Sequence, residues 1–238
     1  KTLLSAAAFA VSIGMPAAAS TVITSQTFDT DPVLLGSPGP GGWYVDRFAP
    51  AVFQSSEFMG ENVLELGVAA EDFQDEAFRN TQGRGFDTPG ATDLSIDMFI
   101  AEAFAEIEGR IGGFWGVGLD AGGERSLFPI IEFFDGQFQV FDSLDDGDSF
   151  GFIPVGSPED FGGNFGEFFN LEILLRGDVT RFFINNQLAL SLTAGNTTEL
   201  GSVILQGKNA QEDRTLYFDN FSAEIPVPAT AALLGLGL

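Results

Sequence analysis

Alternation of apolar and polar side chains with a period of two is the feature that most limits what this chain can fold into. From Thr21 onward the sequence runs in short segments bounded by Gly, Pro, Asn and Asp, with almost no sustained 3.6-residue periodicity. In Phe168–Leu175 (FFNLEILL), Phe169, Leu171, Ile173 and Leu175 fall on one face and Asn170 and Glu172 on the other. Asp93–Phe104 alternates Leu94, Ile96, Met98 and Ile100 against polar or small neighbours, and Val63–Val68 sets Leu64, Leu66 and Val68 against Val63, Glu65 and Gly67. Further strands are expected over Thr21–Phe28, Trp43–Phe48, Ala51–Ser55, Gly113–Leu119, Leu127–Phe134, Ser202–Gln206 and Leu216–Ile225.

Two hairpins are marked by their turns. Asp135-Gly136 joins Ile130–Phe134 to Gln137–Phe141, and Asn185-Asn186 joins Arg181–Ile184 to Gln187–Leu192. Both pairs tolerate the positive φ of a type I′ turn. Asp31–Gly42 (DPVLLGSPGPGG) is too rich in Pro and Gly for regular structure and reads as a surface loop. Strands with no helices to cover them close as two packed sheets, so the expected class is all-β, an antiparallel two-sheet jelly-roll sandwich spanning residues 20–225. A single domain of that size, roughly 200 residues, is common for such architectures.

The chain has no Cys and no His, which excludes disulfides, thiol nucleophiles, Ser-His-Asp triads and imidazole metal sites. Carboxylates, amides, hydroxyls and aromatic rings are left to carry function. Thirty-four acidic residues against ten basic ones give a net charge of −24, scattered rather than blocked. That balance argues against a nucleic-acid partner and against anionic headgroups. At the amino terminus, Lys1 precedes an apolar run from Leu3 to Met15, and Ala17 to Ala19 supply small residues at the −3 and −1 positions. This is the pattern of a secretory signal peptide over residues 1–19, so export is expected.

A strand like Phe168–Leu175, then a hairpin turning on Asn, then a last strand carrying Phe218-Asp219-Asn220 together resemble the concanavalin A-like (laminin G-like) lectin/glucanase fold. Asn80–Ile100 also resembles a segment of secreted bacterial proteins with carboxy-terminal sorting signals. Beyond Ile225 the composition changes: Pro226, Val227 and Pro228 break the strand, and Ala229–Leu238 is uncharged and mostly apolar. This stretch, 226–238, is similar to the PEP-CTERM sorting signal, with Val227 where that family usually has Glu. The ten-residue apolar run is about half of what spans a bilayer, so the signal reads as truncated. The resemblance implies an exosortase-type enzyme as a partner, transient anchoring in the inner membrane through the tail, and a final place at the bacterial surface or in its extracellular matrix.

Candidate sites follow from residue chemistry. Trp43, Tyr44 and Trp115 are the amphipathic rings available to stack on sugars; Trp43 and Tyr44, after the long loop, are better placed for partial exposure than Trp115, although core packing is the favoured reading of each. Arg84, in a Gly-rich turn, can donate hydrogen bonds to a glycan or pair with an acid. Asp142, Asp145, Asp146 and Asp148 form the densest acidic cluster, of the oxygen-rich kind that suits Ca²⁺, although the spacing is not that of an EF-hand. In carbohydrate-binding jelly rolls that this chain resembles, an Asp on the last strand helps hold a structural Ca²⁺ near the first strand, which implies Asp219 with Asp29. For catalysis, Glu106 and Glu108 would share a face of a strand, but the intervening Asp of the related glucanases is absent. The expectation is therefore a non-catalytic protein associated with extracellular polysaccharide, the alternatives being a matrix protein without a specific ligand and a glycoside hydrolase or lyase of the same fold.

Overall fold

The computed structural model describes residues 20–74, 80–144 and 151–226. In chain order the strands are β1 (Ser20–Gln26), β2 (Leu34–Leu35), β3 (Trp43–Val45), β4 (Val52–Phe58), β5 (Glu61–Val68), β6 (Thr81–Ala91), β7 (Asp93–Ile100), β8 (Arg110–Asp120), β9 (Arg125–Leu127), β10 (Ile130–Phe134), β11 (Gln137–Asp142), β12 (Gly151–Gly156), β13 (Glu167–Arg176), β14 (Val179–Ile184), β15 (Gln187–Thr193), β16 (Thr197–Lys208) and β17 (Arg214–Pro226). Helical structure among the described residues is confined to short 3₁₀ turns such as Glu102–Glu106 and Pro158–Phe161.

These strands form two sheets packed as a sandwich. Sheet I has the order β15-β14-β13-β7-β17-β5-β4 with β1 against β17, and sheet II the order β12-β11-β10-β8-β16-β6-β3-β2 with β9 against β8. The short β2–β3 pair is parallel and the other pairs are antiparallel. Alternation fixes which side chains meet between the sheets. Leu94, Ile96, Met98 and Ile100 of β7 and Phe169, Leu171, Ile173 and Leu175 of β13 all turn inward and are buried, as their spacing requires. From sheet II, Phe114, Ile131, Phe133, Phe138, Val140 and Leu205 meet them. The core is heavily aromatic: Phe133 and Phe138 meet edge-on with ring centroids 5.1 Å apart, and Phe138 continues onto Phe169 at 5.2 Å.

Both marked hairpins have type I′ geometry, with φ of 48° and 74° at Asp135 and Gly136 and 48° and 61° at Asn185 and Asn186. Elsewhere the expectations need correction. The strand expected over Asp93–Phe104 stops at Ile100, and a 3₁₀ turn carries the chain through Glu102–Glu106. The loop Asp31–Gly42 contains the two-residue strand β2, held parallel to β3. Eleven-residue β6 was not expected, because TQGRGFDTPGA looks like loop sequence. Its glycines are required by packing rather than by turning: a Cβ at Gly83 would lie 2.3 Å from the Leu205 carbonyl oxygen, and one at Gly85 would enter the Tyr44 ring. The last strand runs to Pro226, which pairs with Ser20. The signal segment 1–19, Val227, Pro228 and the rest of the tail lie outside the described residues.

Candidate functional site

Sheet II presents its outer face as three rows set by register. One row runs Gln139–Glu132–Gly113–Gln206–Gly83 across β11, β10, β8, β16 and β6. The next runs Phe141–Ile130–Trp115–Ile204–Gly85–Tyr44, ending on β3. The third joins Val117 to Ser202 and Asp87. Apolar members of the middle row, with Val117 at its side, make a second small core on this face. The first row is polar, and its centre is Gly113.

Gly113 has no side chain, so Glu132 on one flank and Gln206 on the other can meet across it. A Cβ there would lie 2.2 Å from the Ile131 carbonyl oxygen and 3.1 Å from the Glu132 Cγ. The Glu132 carboxylate is 1% exposed and accepts four hydrogen bonds. Two come from the Arg110 guanidinium, one from the Trp115 indole N–H at 2.7 Å and one from the Gln206 amide N–H at 2.6 Å. A buried carboxylate is tolerable only with such a complete set of partners. The Trp115 ring also lies beneath two guanidinium groups, those of Arg47 at 5.0 Å and Arg110 at 5.1 Å.

Above this floor opens a cleft of about 770 Å³, lined by Tyr44, Asp46, Arg47, Asp87, Arg125 and Ser202 together with Trp115 and the prolines of the loop before β3. The Tyr44 hydroxyl donates to Asp87 Oδ1 at 2.8 Å, and its pKa is pushed up to about 12 by burial, reinforced by that hydrogen bond and by the Asp87 and Asp46 charges. Burial also raises Asp46, with Arg47 and Arg125 pulling the other way. Arg47 donates to the Thr81 hydroxyl at 3.1 Å. A mostly apolar floor with convergent hydroxyl, carboxylate and guanidinium groups is the make-up of a site for a polar organic ligand.

Of the sequence candidates, Tyr44 and Trp115 come together here, Tyr44 on the wall and Trp115 as 2%-exposed floor. Trp43 and Arg84 do not. Trp43 pairs with Phe86 and points inward, one position out of phase with Tyr44, so its place as a candidate sugar-stacking ring is corrected in favour of core packing: it is fully buried among Phe28, Phe53, Phe86 and Phe221. Its indole N–H donates to Gln26 at 2.9 Å. Arg84 lies in β6 rather than in a turn, on the same side, donating to the Trp43 carbonyl at 3.3 Å with its guanidinium 5.6 Å from the Phe53 ring. Asp29 and Asp219 are neighbours: burial raises Asp219, and the charges of Asp97, Asp29 and Glu61 add to that. No group of three or more acidic side chains that could hold a metal occurs among the described residues. Asp142 is buried and accepts from the Leu144 N–H, while Asp145, Asp146 and Asp148 lie outside the described residues. Glu106 belongs to a 3₁₀ turn, so it shares no strand face with Glu108. Sequence reasoning missed Arg47, Arg110, Gln206 and the role of Glu132. The available signal was Gly113 itself, a glycine amid apolar residues in mid-strand, which marks a close approach.

No family model matches the sequence, and no curated protein does. Solved structures do match. The catalytic domain of an endo-1,3-β-glucanase (laminarinase) from Thermotoga petrophila RKU-1 has a TM-score of 0.58 at 14% identity, covering 89% of this chain and 100% of that one. The fold is the concanavalin A-like sandwich. A GlcNAcα1-4Gal-releasing endo-β-galactosidase from Clostridium perfringens aligns with a TM-score of 0.61 at 12% identity over 92% of this chain and 65% of that one. The cellulose-induced protein Cip1 aligns at 0.54 and 13% identity over 84% and 96%. Two of these three are glycan-cleaving enzymes by name, and this overturns the expectation of a protein without catalytic activity. That expectation rested on the missing acid of Glu102–Glu108, a segment that is not a strand here.

Proposed function

We propose that this chain is a carbohydrate-active protein that takes an extracellular polysaccharide into the cleft on the outer face of sheet II. The observation that carries the reading is the convergence of Tyr44, Asp46, Arg47, Asp87, Arg125 and Ser202 over a rigid floor built on the Glu132 network. Sugar hydroxyls need donors and acceptors fixed in place, and the cleft offers both kinds within one concavity. The signal-like amino terminus and the sorting-like tail support delivery to the cell surface, with an exosortase-type enzyme handling the tail. Structural Ca²⁺ held by Asp29 and Asp219 remains part of the proposal.

Cleavage of the bound polysaccharide is the second reading. It is favoured by two carboxyl groups flanking the Tyr44 hydroxyl, Asp87 as its hydrogen-bond acceptor and Asp46 with a raised pKa, which is the pairing of a base and a protonatable acid that general acid–base catalysis uses. A panel of soluble polysaccharides tests both readings, with thermal unfolding for binding and release of reducing ends or unsaturated products for cleavage. A ligand at a hundred times its Kd adds about 2.7 kcal/mol, an upward shift of roughly 5–10 °C for a domain of this size. A panel that gives neither a shift nor products refutes the proposal.

A further inference from the structure

The outer face of sheet I carries a second feature, remote from the cleft, that the reading above does not use. Phe58, Phe99, Phe168 and Tyr217 come from four different strands, β4, β7, β13 and β17. Each is adjacent in sequence to an inward-facing or turn residue and points outward; Met98, Phe169 and Phe218 beside them are fully buried. The four rings nevertheless gather into one cluster. Phe58 stacks on Tyr217 with centroids 3.9 Å apart, meets Phe99 edge-on at 4.8 Å, and Phe99 continues to Phe168 at 5.3 Å. Phe58 reaches Tyr217 across β5, covering Val63, an outward-facing residue that is only 2% exposed. The rings themselves stay half-buried.

Around the cluster this face is polar, with Asp93, Ser95, Asn170, Glu172, Arg176, Ser222 and Glu224 on it, while Leu174, Phe183 and Leu188 also turn outward farther along β13, β14 and β15, so the cluster is a local departure from the alternation rule. Polar groups frame one side of it and are fixed in place. Asp97 accepts from the Asn170 amide at 2.8 Å through one oxygen and from the Asn220 amide at 2.8 Å through the other. That leaves both amide carbonyls and the remaining carboxylate lone pairs to receive hydroxyl donors. Asn220 has a left-handed φ of 51°, which presents its side chain at this rim. A hollow of about 330 Å³ lies between rings and rim, lined by Phe58, Glu61, Phe168, Asp97, Asp219 and Asn220, within the size range of small-molecule sites.

We propose that this hollow is a second sugar-binding site, which holds an uncharged pyranose unit of a polysaccharide on the face of the sandwich opposite the cleft. The electron-rich ring faces attract the polarised C–H bonds of a pyranose, and the Asp97–Asn170–Asn220 frame accepts its hydroxyl protons. Glu61, Asp97 and Asp219 set the class, because their negative charge excludes uronates, sulfated sugars, phosphate and nucleic acid. Two sites on opposite faces let one protein hold two strands of a matrix, or hold a chain while the cleft works on it, and the linked contacts add avidity.

The test uses the full chain in EDTA, so that any metal held by neighbouring acids does not enter the reading, and measures binding of laminarin, cellohexaose, galactan and polygalacturonate by isothermal titration. The variants are Phe168→Leu, which keeps apolar packing but removes the flat face, Asn220→Ala, and Tyr44→Ala on the opposite side; each is checked for an intact near-UV circular dichroism spectrum and cooperative melting. Phe168→Leu and Asn220→Ala are expected to weaken a neutral glycan about tenfold at a site that Tyr44→Ala leaves untouched. Loss of all binding in Tyr44→Ala, with Phe168→Leu and Asn220→Ala like the parent, overturns this inference while sparing the cleft. The reverse pattern supports it and sinks the cleft reading. Binding of polygalacturonate alone, or of none of the four, overturns it.

Discussion

Removal of both members of the Glu132–Arg110 pair should cost far less than the sum of the two single removals. The Glu132 carboxylate is 1% exposed and receives four hydrogen bonds, two of them charge-assisted from Arg110, which is itself buried. Glu132→Leu removes the buried carboxylate that the Arg110 guanidinium pairs with and strands the Trp115 and Gln206 N–H donors; breaking a buried pair in this way costs about 3–5 kcal/mol. Arg110→Leu leaves a buried carboxylate with only the two neutral donors, a comparable loss. In Glu132→Leu with Arg110→Leu both charges of the pair are gone, and the residual cost is that of the two stranded neutral donors, about 1–3 kcal/mol for each that stays buried. The double variant should therefore be more stable than Glu132→Leu, which strands the same donors and an ion-paired guanidinium besides, and should lose far less than the sum of the two single losses, as directly interacting groups do. Urea denaturation followed by tryptophan fluorescence reads this directly, because Trp115 belongs to the network and the midpoints of all four proteins can be compared. If the double variant loses the sum of the two single losses, the pair is not coupled and the account of the floor is wrong.

Other consequences are as specific. Asp93 is pushed up to about 7 by burial, helped by the nearby charges of Glu172 and Glu224 and opposed by Arg176. Its folded pKa exceeds its unfolded one, so its contribution to stability is full below about pH 4 and is lost as pH rises through 7; Asp93→Asn should flatten that part of the stability–pH curve, with the difference reaching about 4 kcal/mol at pH 8. Denaturation midpoints at pH 4, 6 and 8 check this, and parallel curves for the two proteins would refute it. Gly113→Ala should destabilise by several kcal/mol, because its Cβ would collide with the Ile131 carbonyl oxygen and the Glu132 side chain; a neutral result in a thermal melt would remove the reason given for glycine there. Trp43→Ala should cost about 3–5 kcal/mol through the cavity left in the aromatic core and leave glycan affinity of the folded fraction unchanged. Tyr44→Phe should lose affinity for the cleft ligand with a loss of stability of about 1 kcal/mol, since the ring stays and the hydroxyl goes with its hydrogen bond to Asp87.

The sequence by itself determined the class of fold and much of the register. Period-two patterning in β7 and β13 states which side chains face inward, because a strand has only two faces and a hydrophobic set must choose one. The Asp135-Gly136 and Asn185-Asn186 turns are equally local, since positive φ at two successive residues is a property of the turn alone. Tertiary structure decided what lies outside that reach. Trp43 and Tyr44 are adjacent and chemically alike, yet one is core and the other cleft wall, because pairing of β3 with β6 sets the phase and a three-residue strand has too little pattern to reveal it. β6 is a strand because Gly83 and Gly85 are demanded by Gln206 and Tyr44, residues far away in sequence. The Glu132 network and the ring cluster of Phe58, Phe99, Phe168 and Tyr217 draw on three or four strands each, and neither leaves a local motif. A site assembled across hydrogen-bonded strands is written in their pairing order, and that order is fixed only when the sheets close on their core.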